Sequence, residues 1–178
     1  MPTNLSEMNL EETILTYLRD KQGYEEGTIH DYVKDYALDT ERVKRFLLST
    51  QKKKVENTAC FSNEISERRF FTELAKQLAN RGVTDVMRKG FRFISELFDM
   101  YYPLPSELNP TAQELYKKNI FCVTKELAYS KENDNRIDLM VSLNGLPLIT
   151  MELKNHYTGP SETDMFSWST TQAQPSSP

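Results

Sequence analysis

Three charged residues, Asp138, Glu152 and Lys154, interrupt a stretch that is otherwise apolar, with Ile137, Leu139, Val141, Leu148, Ile149, Met151 and Leu153 around them. Successive side chains of a strand alternate between faces, so Glu152 and Lys154 share one side. Unpartnered charges among core strands would be costly, and these need one another or a cation. Hydrated Mg²⁺ suits the carboxylates, because it takes one or two of them and leaves its other positions to water and phosphate oxygens. A lysine two residues past the Glu can orient the attacking water or offset charge on a pentacovalent phosphate. These are the parts of metal-assisted phosphodiester hydrolysis. A purely structural Asp-Lys-Glu ion-pair set uses the same residue types, and the pattern alone leaves both readings open. Glu11 is a fourth candidate. It stands at the helical phase of Ile14, Leu15 and Leu18, where a carboxylate either interacts with the helix N-terminus or serves as a metal or supporting ligand.

The elements that must position these groups follow from periodicity. Ile14, Leu15 and Leu18 predict an amphipathic helix from an Asn9 cap to Asp20, stopped by Gly23. Residues 25–39 are polar and Tyr-rich with weak periodicity. Asp39-Thr40 then caps a helix through Gln51 with Val43, Phe46 and Leu47 inward, and Ser62 or Asn63 caps another to Asn80 with Ile65, Phe70, Leu74 and Leu78 inward. Arg81-Gly82 is its stop. The aromatic run Phe91 to Tyr102 reads mostly as strand, and Pro110 opens a short helix to Lys118. Ile120–Tyr129, Arg136–Leu143 and Pro147–Lys154 predict a three-stranded antiparallel meander, with Asn144-Gly145 as the turn between the last two. The fold class expected is α/β, a mixed central sheet flanked by helices.

Composition limits the function classes. The chain has 178 residues, 38% hydrophobic and 27% charged, as expected of one soluble folded domain. No run approaches a membrane span, and the start lacks the pattern of a signal peptide, so a cytoplasmic protein without membrane attachment is expected. Cys60 and Cys122 lack the paired spacing of a zinc site and read as idle or buried thiols. A net charge of −4 argues against holding nucleic acid by electrostatics alone. Basic clusters stand at Lys52-Lys53-Lys54, Arg68-Arg69, Arg88-Lys89 with Arg92, and Lys117-Lys118, each either a solvated face or a DNA contact. Residues 160–178 are rich in Ser, Thr, Gln and Pro with no apolar period, and a disordered tail is expected there.

The stretch Arg136-Ile-Asp138 through Asn144-Gly-Leu-Pro to Glu152-Leu-Lys154-Asn155 resembles the nuclease motif of the restriction (R) subunit of type I restriction-modification enzymes, in the PD-(D/E)xK nuclease superfamily. Arg81-Gly82-Val83, residues 85–90, Phe98 to Pro105 and Asn119-Ile-Phe-Cys-Val-Thr extend the likeness, which spans residues 8 to 159. It implies a restriction-endonuclease-like nuclease domain over 1–159 and a Mg²⁺-dependent endonuclease acting on double-stranded DNA beside methyltransferase and specificity subunits. Asp138 and Glu152 would bind Mg²⁺, Lys154 would act on the water or the phosphate, and Glu11 falls near the helix glutamate that many superfamily members add. After Thr158-Gly159 the family pattern of a Gln, a helix and a Gln-x-x-x-Tyr element gives way to Pro160 and the tail. No phosphate-loop motif occurs, so ATP would act only through motor domains outside these residues. A stand-alone PD-(D/E)xK nuclease and an inactive fragment serving only as an interaction domain are the alternatives.

A working site imposes a geometric condition. An unbulged two-residue hairpin at Asn144-Gly145 would set Asp138 opposite Met151 and turn Glu152 to the other face. One metal cannot be held from both faces of a sheet. The register must therefore shift by one, through a three-residue loop or a bulge, to bring Asp138 opposite Glu152.

Overall fold

A computed structural model describes residues 7–106, 108–129 and 135–153, with side chains from residue 10 onward. Its centre is a four-stranded mixed sheet in the order β1-β6-β7-β8. The meander β6 (Phe121–Ala128), β7 (Arg136–Leu143) and β8 (Leu146–Met151) is antiparallel throughout, as the alternation predicts. The fourth strand, β1 (Glu25–Gly27), pairs parallel with β6, Glu26 beside Val123. Weak periodicity hid it, because only three residues pair and only Gly27 among them is buried.

Helix α1 (Glu7–Gln22) covers one face of this sheet. Leu15 is fully buried against Val123, Leu139 and Val141, with Ile14, Leu18, Met151 and Leu153 packed around them. The helix starts before the expected Asn9 cap, so Asn9 lies inside it, and it continues past Asp20 because no breaker occurs before Gly23.

The larger core lies between the helices and two small hairpins. Helix α2 (Thr40–Thr50) is capped by Asp39, whose side chain accepts from the Arg42 N–H, and buries Val43, Phe46 and Leu47 as predicted. Strands β2 (Tyr32–Val33) and β3 (Leu38–Asp39) form the hairpin before it. Helix α4 (Glu64–Arg81) is capped by Asn63 and ends at Gly82. Ile65 does not face inward as expected but is exposed. It lies nine residues from buried Leu74, about two and a half helical turns, and so points the opposite way. Two short helices, α3 (Lys52–Thr58) and α5 (Val83–Lys89), were not expected from the sequence.

The run Phe91 to Tyr102 is not one strand. It folds into a hairpin, β4 (Phe91–Phe93) and β5 (Glu96–Phe98), turning at exposed Ile94, whose φ is 54°. The physical reason is the Phe70 ring, which packs edge-on against Phe91, Phe93 and Phe98 at centroid distances of 5.1, 5.0 and 5.6 Å. Folding back lets three aromatic side chains converge on one. Helix α6 (Pro110–Tyr116) follows an Asn109 cap. Cys60 and Cys122 are buried free thiols. No helix among the described residues is long and apolar enough to cross a membrane. Lys154, the expected boundary at 159 and the tail 160–178 lie outside the described residues.

Candidate active site

The Asn144-Gly145 turn fixes the meander to the rest of the molecule. Both residues have positive φ, 53° and 85°, as a two-residue hairpin with native twist requires. Asn144 is fully buried, and its side chain serves both neighbours of the turn. Its Oδ1 accepts from the Ile120 N–H at 2.7 Å, and its Nδ2 donates to the Met100 carbonyl at 2.9 Å and to Asn119 Oδ1 at 3.1 Å. Gly145 packs under α2, where its carbonyl accepts from the Asp39 N–H. A Cβ at this position would collide with the Asp39 carbonyl and come within 2.7 Å of Val43 Cγ2. Leu146, the next residue, is buried in the larger core.

From this anchor the ladder starts in unshifted register, Leu143 beside Leu146 and Ser142 beside Pro147. It then slips. Val141 pairs with Ile149, Met140 with Thr150 and Leu139 with Met151, so Leu148 is an extra residue on β8. Pro147 suits a bulge on an edge strand, having no N–H to give the ladder. Beyond the bulge the paired numbers have risen by one up to Leu139 beside Met151, where β8 ends, and continuing that register by one position would set Asp138 opposite Glu152. Directly opposed residues have Cβ atoms about 4.5–5.5 Å apart. The Leu153 N–H donates to Asp138 Oδ2 at 2.5 Å, drawing the carboxylate to the end of β8.

On the other side of β7 the ladder to β6 runs without insertion, Lys125 beside Leu139 and Leu127 beside Ile137. The residue between, Glu126, therefore stands opposite Asp138. Its φ is 50°, a left-handed backbone inside a strand. Its exposed carboxylate meets the Arg136 guanidinium at 3.4 Å. Next to it, Lys125 Nζ reaches Glu12 of α1 at 3.2 Å, and the surrounding acids hold that ammonium above its ordinary pKa, the bond to Glu12 first among them.

Glu11 projects from α1 toward this end of the sheet. Burial pushes its carboxyl pKa up, and the charges of Glu126 and Asp138 push it further, against an opposing pull from Lys125. Its Oε1 is shielded from water and has no hydrogen-bond partner among the described residues. Strict alternation from Leu139 would turn Asp138 away from α1, yet the Asp138 charge reaches Glu11. Of the four residues singled out from the sequence, Glu11 and Asp138 come within electrostatic reach of each other at one end of the meander, and Glu152 follows Met151 at the end of β8. The fourth, Lys154, follows one residue past the described segment. Glu126 and Arg136 join them and were not singled out, since nothing in the sequence marks the left-handed backbone at Glu126. Among the described residues no three His, Cys, Asp or Glu side chains are grouped so that they could hold a metal ion.

The basic clusters fare differently. Lys54 is occupied by the Leu97 carbonyl at 2.7 Å and Asp99 at 3.1 Å, Lys89 pairs with Asp85, Lys117 pairs with Glu114, and Lys118 donates to the Ser49 carbonyl. Lys54 and Lys118 thereby tie distant segments of the fold together, while Lys89 and Lys117 pair within or at the end of their own helices.

A four-stranded mixed sheet built on an antiparallel meander, with helices around it and a bulge in its edge strand, defines a mixed α/β domain. The family described as the type I restriction enzyme R protein N terminus matches residues 4–174. The chain belongs to that family. No curated protein and no solved structure matches it.

Proposed function

We propose that this chain is the Mg²⁺-dependent endonuclease domain of a type I restriction enzyme R subunit, hydrolysing phosphodiester bonds of double-stranded DNA. In this reading it works in the cytoplasm, within a complex that includes methyltransferase and specificity subunits. ATP drives that complex through motor domains outside these residues. The observation that carries the reading is the bulge at Leu148, because it shifts the register in the sense that a site shared by Asp138 and Glu152 requires, setting Leu139 beside Met151. Two carboxylates opposed in that register repel one another without a cation between them.

The donor set fits Mg²⁺. It consists of the hard oxygens of two carboxylates, and it is small enough to leave positions for water and phosphate. Such an ion supplies Lewis-acid polarisation and a water of lowered pKa. Asp138 and Glu152 would hold it, while Glu11, on the α1 side of the sheet, would act on the site through the charge it shares with Asp138. The Leu153 N–H orients Asp138 by taking one lone pair of Oδ2. Lys154, two residues beyond Glu152, would orient the attacking water or offset charge on the phosphate.

Calorimetry with Mn²⁺ on the wild type and on Asp138→Ala tests the site. Loss of binding in the variant is expected, and equal affinity in both proteins would remove Asp138 from the site. In the complete R subunit, Lys154→Ala should keep metal affinity and abolish cleavage. Retained cleavage would exclude the role given to Lys154.

A further inference from the structure

Arg136 occupies the position beside the candidate site where a guanidinium is chemically most useful. It lies two residues before Asp138 on β7, and alternation gives both the same side, about 6.8 Å apart along the strand. That is close to the spacing between neighbouring phosphates of a nucleic-acid strand. Its side chain is 62% exposed, and among the described residues its ion pair is the 3.4 Å contact with similarly exposed Glu126. Surface pairs of this kind contribute at most about 1 kcal/mol and are readily exchanged. Lys54, Lys89 and Lys118 are engaged by shorter bonds, whereas Lys52 and Arg68 have exposed pairs as loose as this one, and Arg136 differs from them in lying on the strand of Asp138. Among the described residues Arg136 is engaged by a carboxylate, an anionic oxygen group that a phosphate can replace.

We infer that Arg136 binds the DNA phosphate next to the one bound at Asp138 and Glu152, and that Glu126 occupies the guanidinium until DNA displaces it. This rests on the nuclease reading above. A guanidinium presents a planar fork of donors that matches two phosphate oxygens, so lysine in its place is an incomplete substitute. The left-handed backbone at Glu126 is a cost that a strand-interior glutamate does not ordinarily bear, and here it accompanies the contact with Arg136. The arrangement also answers the −4 net charge: an acidic protein needs a local cation beside its acidic centre for a phosphodiester to approach.

The test is the affinity of the 178-residue chain for a short blunt DNA duplex, measured by fluorescence anisotropy in Ca²⁺ over a series of salt concentrations. Arg136→Ala should weaken binding roughly tenfold, as for loss of a charged hydrogen bond, and reduce the salt slope by about one. Arg136→Lys should keep most of the slope and lose part of the affinity. Glu126→Gln should tighten binding up to about fivefold by releasing the guanidinium. An unchanged salt slope in Arg136→Ala would overturn the inference, as would weaker binding in Glu126→Gln or no binding by the wild type at low salt. Mn²⁺ calorimetry on the same proteins separates the two layers. Metal bound by the wild type and by Arg136→Ala, with no change in DNA affinity, refutes the role of Arg136 alone. Absence of metal binding in the wild type refutes the site itself.

Discussion

Inserting one alanine between Thr150 and Met151 isolates the effect of register. Upstream of the insertion nothing changes: the Asn144 anchor, buried Leu146 and the bulge at Leu148 stay as they are. Downstream, the new alanine takes the place beside Leu139, Met151 moves opposite Asp138, and Glu152 moves opposite Ile137 on the other face. The displacement along the strand is only about 3.3 Å, but the change of side takes the carboxylate out of reach. Losing one of two carboxylate ligands should weaken Mn²⁺ binding at least about a hundredfold, or roughly 2.8 kcal/mol. The fold should survive. Met151 and Leu153 are half-buried against the Leu15 cluster, and full burial of such side chains contributes about 1.5–3 kcal/mol each, so displacing both costs roughly 2 kcal/mol. Deleting Leu148 is the matched control. It also changes β8 by one residue, yet it removes only the extra position and leaves Leu139 beside Met151, so Glu152 stays opposite Asp138. Calorimetry with Mn²⁺ and urea denaturation on both variants give the two readouts. Wild-type metal affinity in the insertion variant, or its loss in the deletion variant while the protein remains folded, would refute the argument that register makes the site.

Other consequences are independent of the metal. Asn144→Ala should destabilise the domain by about 3 kcal/mol in urea denaturation, because Ile120, Met100 and Asn119 lose partners in a buried place. Arg42 holds Asp39 and also bonds Asp31 at 2.9 Å and Glu25 at 3.1 Å, so Arg42→Ala should cost about 3 kcal/mol by leaving Asp39 buried and unpaired. Burial alone would raise the pKa of Glu25 and Asp31, but the bonds from Arg45 and Arg42 to Glu25, and from Thr28 and Arg42 to Asp31, hold both below their ordinary values. Their stabilisation is present above the ordinary carboxylate range and is lost as pH falls through the lowered values, so acid should unfold the wild type along a steeper slope than Arg42→Ala. Glu11 has the opposite sign: its raised pKa favours the folded state below the ordinary glutamate value, and that advantage is lost as pH rises through the raised one. Without divalent ions, Glu11→Gln should melt higher than the wild type at neutral pH, with the difference vanishing in acid and shrinking when Mg²⁺ is added.

What the sequence made legible was whatever depended on local period and turn chemistry. The meander, its Asn-Gly turn and the caps at Asp39 and Asn63 all follow from residues within a few positions of one another. The burial of Phe91, Phe93 and Phe98 around Phe70 does not, because a hairpin there is selected by a helix some twenty residues earlier. Ile65 departs from the expected inward face for a related reason: an apolar residue in the first turn suggests core, but its phase sets it opposite Leu74. β1 is three residues long and derives its place from β6, so no periodicity could announce it. In the site, Asp138 and Glu152 stood out as charges in apolar strands. The need for a register shift followed from the chemistry, while the structure determined that a bulge, with the two-residue turn kept, provides it. Glu126 was invisible, since its significance lies in a backbone angle and in facing Asp138 across a ladder.

The central claim is that Asp138 and Glu152 hold one divalent ion between them. Anomalous diffraction from crystals of the chain soaked in Mn²⁺ tests it directly. The account predicts a single strong peak within coordination distance, about 2.0–2.2 Å, of carboxylate oxygens from both residues, on the scale of small divalent ions with oxygen ligands. A fully occupied peak elsewhere, or none while Asp138 and Glu152 lie open to solvent, would contradict it.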